Sequence, residues 1–509
     1  MSRPPHRAVA RAPLHPATPA IERDPDVVRA FLSDAAHVPG GTAAGVVFPA
    51  TVDEVAMVVA SADRVLPVGA QSSLTGGATP RGDLVLSTRR LSQIGEPADL
   101  AVRVGAGVPL SELHRFLAER GLYYPPAPTF DGAFIGGTIA TNAAGPATFK
   151  YGVTRQWVSA ITVVLADGSI LDLARGDVRA SGDGIIEIET MSRGVVKIPI
   201  PTYEVPVHLP KLSAGYFTQR HLDLLDLFVG SEGTLGVIAG ATVRVMRRPA
   251  RCVVLVSCEA EAQAVTVSTE LAGSALDVAA IEYIDSPSLR LLDDAIYTRA
   301  GISRPSSSTA TILLVQIETA RGLEAVLARL DGILRKHGVA IDPVVALPGD
   351  ERTAARLFEL REAVPAAVNA RVGEAKARIH PGIQKTAGDF IVPAASIDRA
   401  LALYRRAFER RGLEYAVWGH ISDGNLHPNL IPRSLEDVEK GRDALREMAR
   451  GVIELGGAPV AEHGVGRNPL KQMFLRDLYG EEGIEQMRAV KRALDPGGKF
   501  AAGVLFPPE

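Results

Sequence analysis

Ile135 to Gly145 reads Ile-Gly-Gly-Thr-Ile-Ala-Thr-Asn-Ala-Ala-Gly, eleven residues of which only the two isoleucines are large. Such a run can pack as a tight turn whose backbone closely approaches its neighbours. It can equally form a wall of N–H groups with few side chains, against which a phosphate rests. Two more stretches of the first half impose the same choice. Pro67-Val68-Gly69-Ala70-Gln71-Ser72-Ser73-Leu74-Thr75-Gly76-Gly77 follows a short apolar run and mixes glycines with small hydroxyl residues. It is either a solvent-exposed loop or an anion nest built from successive N–H groups. It is neither a Walker A loop nor a Gly-x-Gly-x-x-Gly fingerprint. Phe228 to Ile238 sets Gly230, Gly233 and Gly236 three apart before a strand, which suits close contact with a ligand. Gly105-Ala106-Gly107 lacks a third glycine at the right spacing and is followed by Pro109, so it is not a nicotinamide fingerprint.

A chain of 509 residues exceeds what one hydrophobic core organises, so two or three domains are expected. A net charge of −3 gives no basic patch of the kind nucleic acid requires. Cys252 and Cys258 lie an even number of residues apart on an apolar run. On a strand they point the same way but are too far apart to bridge, so two buried free thiols in a reducing compartment are expected. No stretch approaches the ~18 uncharged apolar residues of a membrane span. Residues 1 to 20 hold Arg3, Arg7 and Arg11, five prolines and no apolar core, which predicts a disordered leader rather than an export signal. The expectation is a cytoplasmic protein, at most peripheral to the inner membrane.

Thr51 to Ser61 is predicted as an amphipathic helix with a Thr cap and acidic first turn. Val65 to Val68, Asp83 to Thr88 and Leu100 to Val104 are predicted strands, and Ser111 to Arg120 a helix ended by Gly121. Trp157 to Leu165 and Ile170 to Leu173 form a hairpin about Asp167-Gly168. From Pro249 the style changes: Arg251 to Ser257 and Thr311 to Glu318 are strands, and Ala262 to Leu271 and Gly322 to His337 are helices, a second α/β unit. Helices return at Leu435 to Leu455 and Gly483 to Leu494. The reading divides the chain into a disordered leader or N-terminal helix (1–40), a ligand-binding domain (41–248) with an insertion at about 176–210, a cap domain (249–432) and a helical C-terminal segment (433–509).

Gly419 to His427 (Gly-His-Ile-Ser-Asp-Gly-Asn-Leu-His) carries two histidines about a turn, and Ala461-Glu462-His463-Gly464 follows. With Asp423-Gly424 as the centre of a type I′ turn, His420 pairs with His427 and their Cβ atoms lie about 5 Å apart on one face. That spacing suits a chelated metal, with Glu462 as a third ligand and one position left open. The alternative is a hairpin with two packed histidines.

Together these segments carry a resemblance. Pro67 to Gly77, Ile135 to Gly145, Lys150 to Val158, Val163 to Gly168 and Leu227 to Gly236 match, in order, a Pro-x-Gly loop, IGGxIATNAxG, KYGxTRxxV, VVLADG and LFVGSEGTLG. His420 to His427 and Ala461 to Gly466 match HxGDGNLH and GEHGxG. Over roughly residues 40 to 508 the chain resembles the vanillyl-alcohol-oxidase/p-cresol-methylhydroxylase superfamily of flavoenzymes. Within it, the chain is similar to the branch that holds the flavin-bearing chain of glycolate oxidase, D-lactate dehydrogenase and D-2-hydroxyglutarate dehydrogenase.

The resemblance implies an α+β fold: a two-part FAD-binding domain, a ferredoxin-like α/β cap and a helical C-terminal segment returning to the flavin. It implies FAD on Pro67, Val68, Gly69, Ala70, Gln71, Ser72, Ser73 and Leu74. Gly132, Gly136, Gly137, Thr138, Thr141, Asn142, Ala144, Glu232, Gly236 and Ile238 complete the cleft. With no His, Cys or Tyr in the first two glycine-rich segments, the FAD is expected to be non-covalent. His420, His427 and Glu462 are implied ligands of a divalent metal, zinc by ligand type, with Mn, Fe or Co as alternatives. His463 is implied beside the substrate as proton acceptor, with Arg361 clamping a carboxylate and Lys385 and Asn429 nearby. The implied activity is oxidation of a D-2-hydroxy acid by hydride transfer to flavin N5, with electrons leaving to a protein or quinone. Alternatives are an oxidase, a non-acid alcohol as substrate, or an FAD-binding component of a larger oxidoreductase complex; a homodimer or complex partner is also implied. Ser422 stands where the pattern has glycine, Pro146-Ala147 interrupts a glycine run, and Asp495 to Val504 lacks the usual Asn-Pro.

Overall fold

The computed structural model describes residues 7–15, 17–126, 128–206, 208–305, 311–339 and 344–507. The fold is α+β. The N-terminal half contains two four-stranded sheets. In the first, Ile21–Glu22, Thr42–Val47, Arg81–Ser87 and Val65–Val68 lie in that order, with the last three parallel. The helix that joins Thr42–Val47 to Val65–Val68 runs from Val52 to Ser61, and the Thr51 hydroxyl accepts from Glu54 N, as the cap signal predicts. In the second sheet, Ala101–Gly105, Val237–Arg244, Val158–Val164 and Ile170–Ala174 are antiparallel neighbours.

The expected disordered leader is tied down over its described part. Arg7–Val9 pairs in parallel with Ile185–Thr190, and Pro25–Arg29 is a short helix capped by Asp24. Residues 1–6 lie outside the described residues. The partner strand belongs to the 176–210 segment, where Ile185–Thr190 and Gly194–Pro199 form a hairpin. Composition alone misread the leader because its backbone donors are satisfied by a strand nearly 180 residues away.

The second half is built on a seven-stranded antiparallel sheet. Its order is Val344–Ala346, Arg251–Cys258, Thr311–Glu318, Asp277–Asp285, Glu414–His420, Asn425–Ile431 and Phe390–Ile391. Cys252 and Cys258 are both buried and unbridged on one strand. Helix Glu351–Arg378 packs against this sheet and carries Pro365 within its length. The last helix, Pro469–Leu494, starts earlier than the sequence pattern suggested and is kinked at Gly480. Beyond it, Lys499 O accepts from Val65 N and Ala501 N donates to Val65 O, so the C-terminal segment returns to the N-terminal half.

Candidate functional site

One cavity of about 1130 Å³ runs between the halves. One end is walled by Pro67–Thr75, by Gly136, Gly137, Thr138, Thr141 and Ala144, and by Glu232, Gly236 and Ile238. Gly132 and Asn142 do not line it. Asn142, at φ +47, turns its side chain to Leu212 O and Arg155 N and so supports the wall from behind.

Among the described residues, no hydrogen bond uses the N–H groups of Ala70, Gln71, Ser72, Ser73 or Leu74. Five consecutive free donors on a cavity wall make an anion nest, and an acceptor has to come from a ligand or water. The loop is braced from outside: Ala35 N donates to Gln71 O, and the Gln71 amide donates to Ser33 O. Two glycines show why bulk is excluded. A Cβ on Gly136 would lie 2.6 Å from that of Ala106, and a Cβ on Gly137 would stand in open cavity with nothing within 4 Å. Glu232, at φ +51, accepts from Val465 N at 2.7 Å and Gly466 N at 2.8 Å, joining this wall to the segment that bears Glu462 and His463. Burial lifts its carboxyl to about 6.

At the other end the histidines gather, but the expected hairpin register is wrong. Residues Ile421–Asp423 form a 3₁₀ turn, so His420 lies opposite Asn425 and His427 opposite Trp418. The two histidines are diagonal neighbours on one face, with ring centroids 5.7 Å apart. Tertiary contacts fix the longer turn: Ser422 Oγ accepts from Ile281 N, and a Cβ on Gly424 would strike Val392 O at 2.0 Å.

Three imidazoles converge on Glu462 Oε1: His420 Nε2 at 3.2 Å, His427 Nε2 at 3.3 Å and His463 Nε2 at 3.7 Å. Asp389, His427, Glu462 and His463 each offer a ligand atom within 4.8 Å of the others. Asp389 is already occupied: it accepts from His463 N at 2.9 Å and from Lys471 Nζ at 3.2 Å. Burial would raise its pKa, but His463, Lys471 and His427 hold it below the usual carboxylate range.

Sequence reasoning missed the groups around this cluster. Glu282 Oε1 lies 2.5 Å from His420 Nδ1, and its Oε2 accepts from Arg361 Nε at 2.6 Å. Burial pushes Glu282 up, yet His420 and Arg361 bring it down to about 2. Burial pushes His420 down, yet Glu282 and Glu462 outweigh it and raise the ring to about 9. Lys211 reaches both Glu462 and Asp423. The buried cluster therefore holds the carboxylates of Glu282, Asp389, Asp423 and Glu462 against the cations Lys211, Arg361 and Lys471. One negative charge is left for a histidine proton or a bound cation. With the converging nitrogens, this donor set fits a divalent metal.

Arg361 lines the cavity, but it is 6% exposed and its Nε is held by Glu282, so it is not a solvated helix arginine. Lys385 lines the cavity and makes no ion pair among the described residues. Asn429 also lines the cavity, and its buried Oδ1 has no partner among the described residues. His463 is stacked on His427 at 5.0 Å, and its partial burial pushes the imidazolium pKa down while Asp389 pulls it up.

Comparison with known proteins gives the family. Residues 247–505 match the family of FAD linked oxidases, C-terminal domain, and residues 43–174 match an FAD binding domain. The chain is 31% identical to the glycolate oxidase subunit GlcD of Bacillus subtilis, over 91% of this chain and 88% of that one. It is 27% identical to a D-2-hydroxyglutarate dehydrogenase of Stutzerimonas stutzeri, over 95% of each chain. It is also 27% identical to a probable mitochondrial D-lactate dehydrogenase of Danio rerio, over 91% of this chain and 84% of that one. An alkyldihydroxyacetonephosphate synthase structure shares the fold at TM-score 0.61 and 14% identity, covering 98% of this chain and 88% of that one. The chain belongs to the FAD-linked oxidase family and is an FAD-linked oxidoreductase. Among the described residues no helix is long and apolar enough to cross a membrane.

Proposed function

We propose that this protein oxidises a D-2-hydroxy acid, of the D-lactate, glycolate or D-2-hydroxyglutarate type, to the 2-oxo acid. Electrons leave to an acceptor other than NAD. The observation that carries this reading is one shared cavity, with the N–H donors of residues 70–74, unused among the described residues, at one end and the histidine–glutamate cluster at the other. The names of the relatives supply the substrate class.

When bound, non-covalent FAD supplies the hydride acceptor and a divalent cation, zinc by ligand type, supplies a Lewis acid that lowers the hydroxyl pKa. His420, His427 and Glu462 hold the cation. His463, on the cavity wall beside the cluster and with its imidazolium pKa pushed down by burial, accepts the hydroxyl proton. Lys385, free of ion pairs among the described residues, meets the substrate carboxylate together with the Arg361 edge not taken by Glu282. The unpartnered Asn429 amide oxygen accepts from the substrate. The pairing of Arg361 with Glu282 favours one second reading, in which Arg361 is structural and the substrate is an alcohol without a carboxylate.

The test is an anaerobic spectrum of purified protein titrated with D-lactate, D-2-hydroxyglutarate and glycolate, before and after chelation. Flavin bands that bleach with one acid, and no longer bleach after chelation, support the proposal. Bands that stay unbleached by every acid move the substrate to the second reading, and bleaching that survives chelation removes the metal from it.

A further inference from the structure

We propose that Lys211 is a positioning residue that confines Glu462 to one-oxygen coordination of a divalent metal. The inference rests on the reading above, that His420, His427 and Glu462 hold such an ion. Lys211 ends an unpatterned stretch of sequence, yet its side chain is wholly buried. Its Nζ lies 2.7 Å from Glu462 Oε2 and 3.1 Å from Asp423 Oδ2.

The two oxygens of Glu462 therefore have separate partners. Oε1 is the atom on which the histidine nitrogens converge, and Oε2 is held by the ammonium. To bring both oxygens to one ion, Oε2 has to turn away from the ammonium or share its lone pairs between ammonium and metal. Bidentate binding would fill the open position that a substrate oxygen needs. Asp423 forms a second ion pair with the lysine, from the turn between the strands that carry His420 and His427. The two residues that follow the lysine are tethered to the cofactor side: Leu212 O accepts from the Asn142 amide, and Ser213 Oγ donates to Asn142 O. An ammonium buried without solvent is costly unless its partners are fixed, and here both partners belong to the site.

The test uses FAD-loaded protein stripped of metal and reloaded with zinc. Zinc K-edge X-ray absorption reads the number of oxygen ligands, and competition with a chelator reads affinity. Lys211→Met should gain one oxygen ligand. It should also bind zinc at least about tenfold more tightly, because a nearby positive charge is gone. Lys211→Gln still donates to Oε2 but carries no charge. It should keep the wild-type shell and bind more tightly, and it serves alone should Lys211→Met lose its flavin. Wild-type shell and affinity in both variants, or in Lys211→Gln where it stands alone, would overturn the proposal. Wild-type protein that takes up no zinc, or takes it up equally after His427→Ala, would instead overturn the metal reading itself.

Discussion

His420 Nδ1 lies 2.5 Å from Glu282 Oε1, on neighbouring strands of the seven-stranded sheet where the two residues are direct partners in the ladder. The carboxylate fixes which imidazole nitrogen faces Glu462, and its other oxygen holds Arg361. Such carboxylate–histidine pairs orient metal ligands. Glu282→Gln keeps the shape but loses the charge. It should weaken zinc binding by about 10–100-fold, read by chelator competition, while flavin content stays unchanged. Unaltered zinc affinity would reduce Glu282 to a partner for Arg361 alone.

His427→Ala should separate the two ends of the cavity. The histidine touches the Glu462 cluster, whereas the free donors of residues 70–74 lie on a different segment. Metal content by elemental analysis should fall to background, and turnover by about 100-fold or more, since Lewis-acid assistance supplies several kcal/mol. The flavin spectrum should persist. Loss of FAD with turnover retained would contradict the assignment of both ends.

Gly137→Val tests the cofactor wall. Nothing lies within 4 Å of the Cβ position, so the apoprotein has room for the side chain, but that room is cavity. The added methyl groups should lower FAD affinity about tenfold or more, as overpacking of about 1–3 kcal/mol does. Equilibrium dialysis against FAD measures this, and the melting temperature of the apoprotein should not drop. Full FAD retention would mean that the cofactor does not pass Gly137.

How much of this was legible in the sequence depended on the range of the forces. The Thr51 cap and the facing of Cys252 and Cys258 follow from local periodicity, and they were read correctly. The glycine-rich segments were readable because close backbone approach leaves a compositional trace. The register between His420 and His427 was not, because Ile281 and Val392, far away in sequence, set the turn. Glu282, Asp389 and Lys211 left no signal for a similar reason. Each is one charged residue in a strand or irregular stretch, and its role exists only when the fold brings it to a histidine or a glutamate. Residues 7–9 read as free leader in the sequence because their strand partner, residues 187–189, lies far along the chain.

Glu232 gives a prediction in pH. Its carboxylate accepts from Val465 N and Gly466 N and so clips the FAD wall to the segment bearing the cluster. Burial raises its pKa from 4.5 to about 6. The folded protein therefore holds this proton more tightly than the unfolded chain. Between pH 4.5 and 6 the unfolded state binds fewer protons, so stability falls as pH rises through that window. A shift of this size amounts to about 2 kcal/mol. Glu232→Gln removes the titration and keeps an acceptor for one of the two N–H groups. From about pH 4.5 to about pH 7, wild type should lose about 2 kcal/mol relative to Glu232→Gln, seen as melting curves that converge or cross. Parallel curves would show that Glu232 keeps its ordinary pKa in the folded protein, with the two N–H donors fully offsetting the cost of its burial.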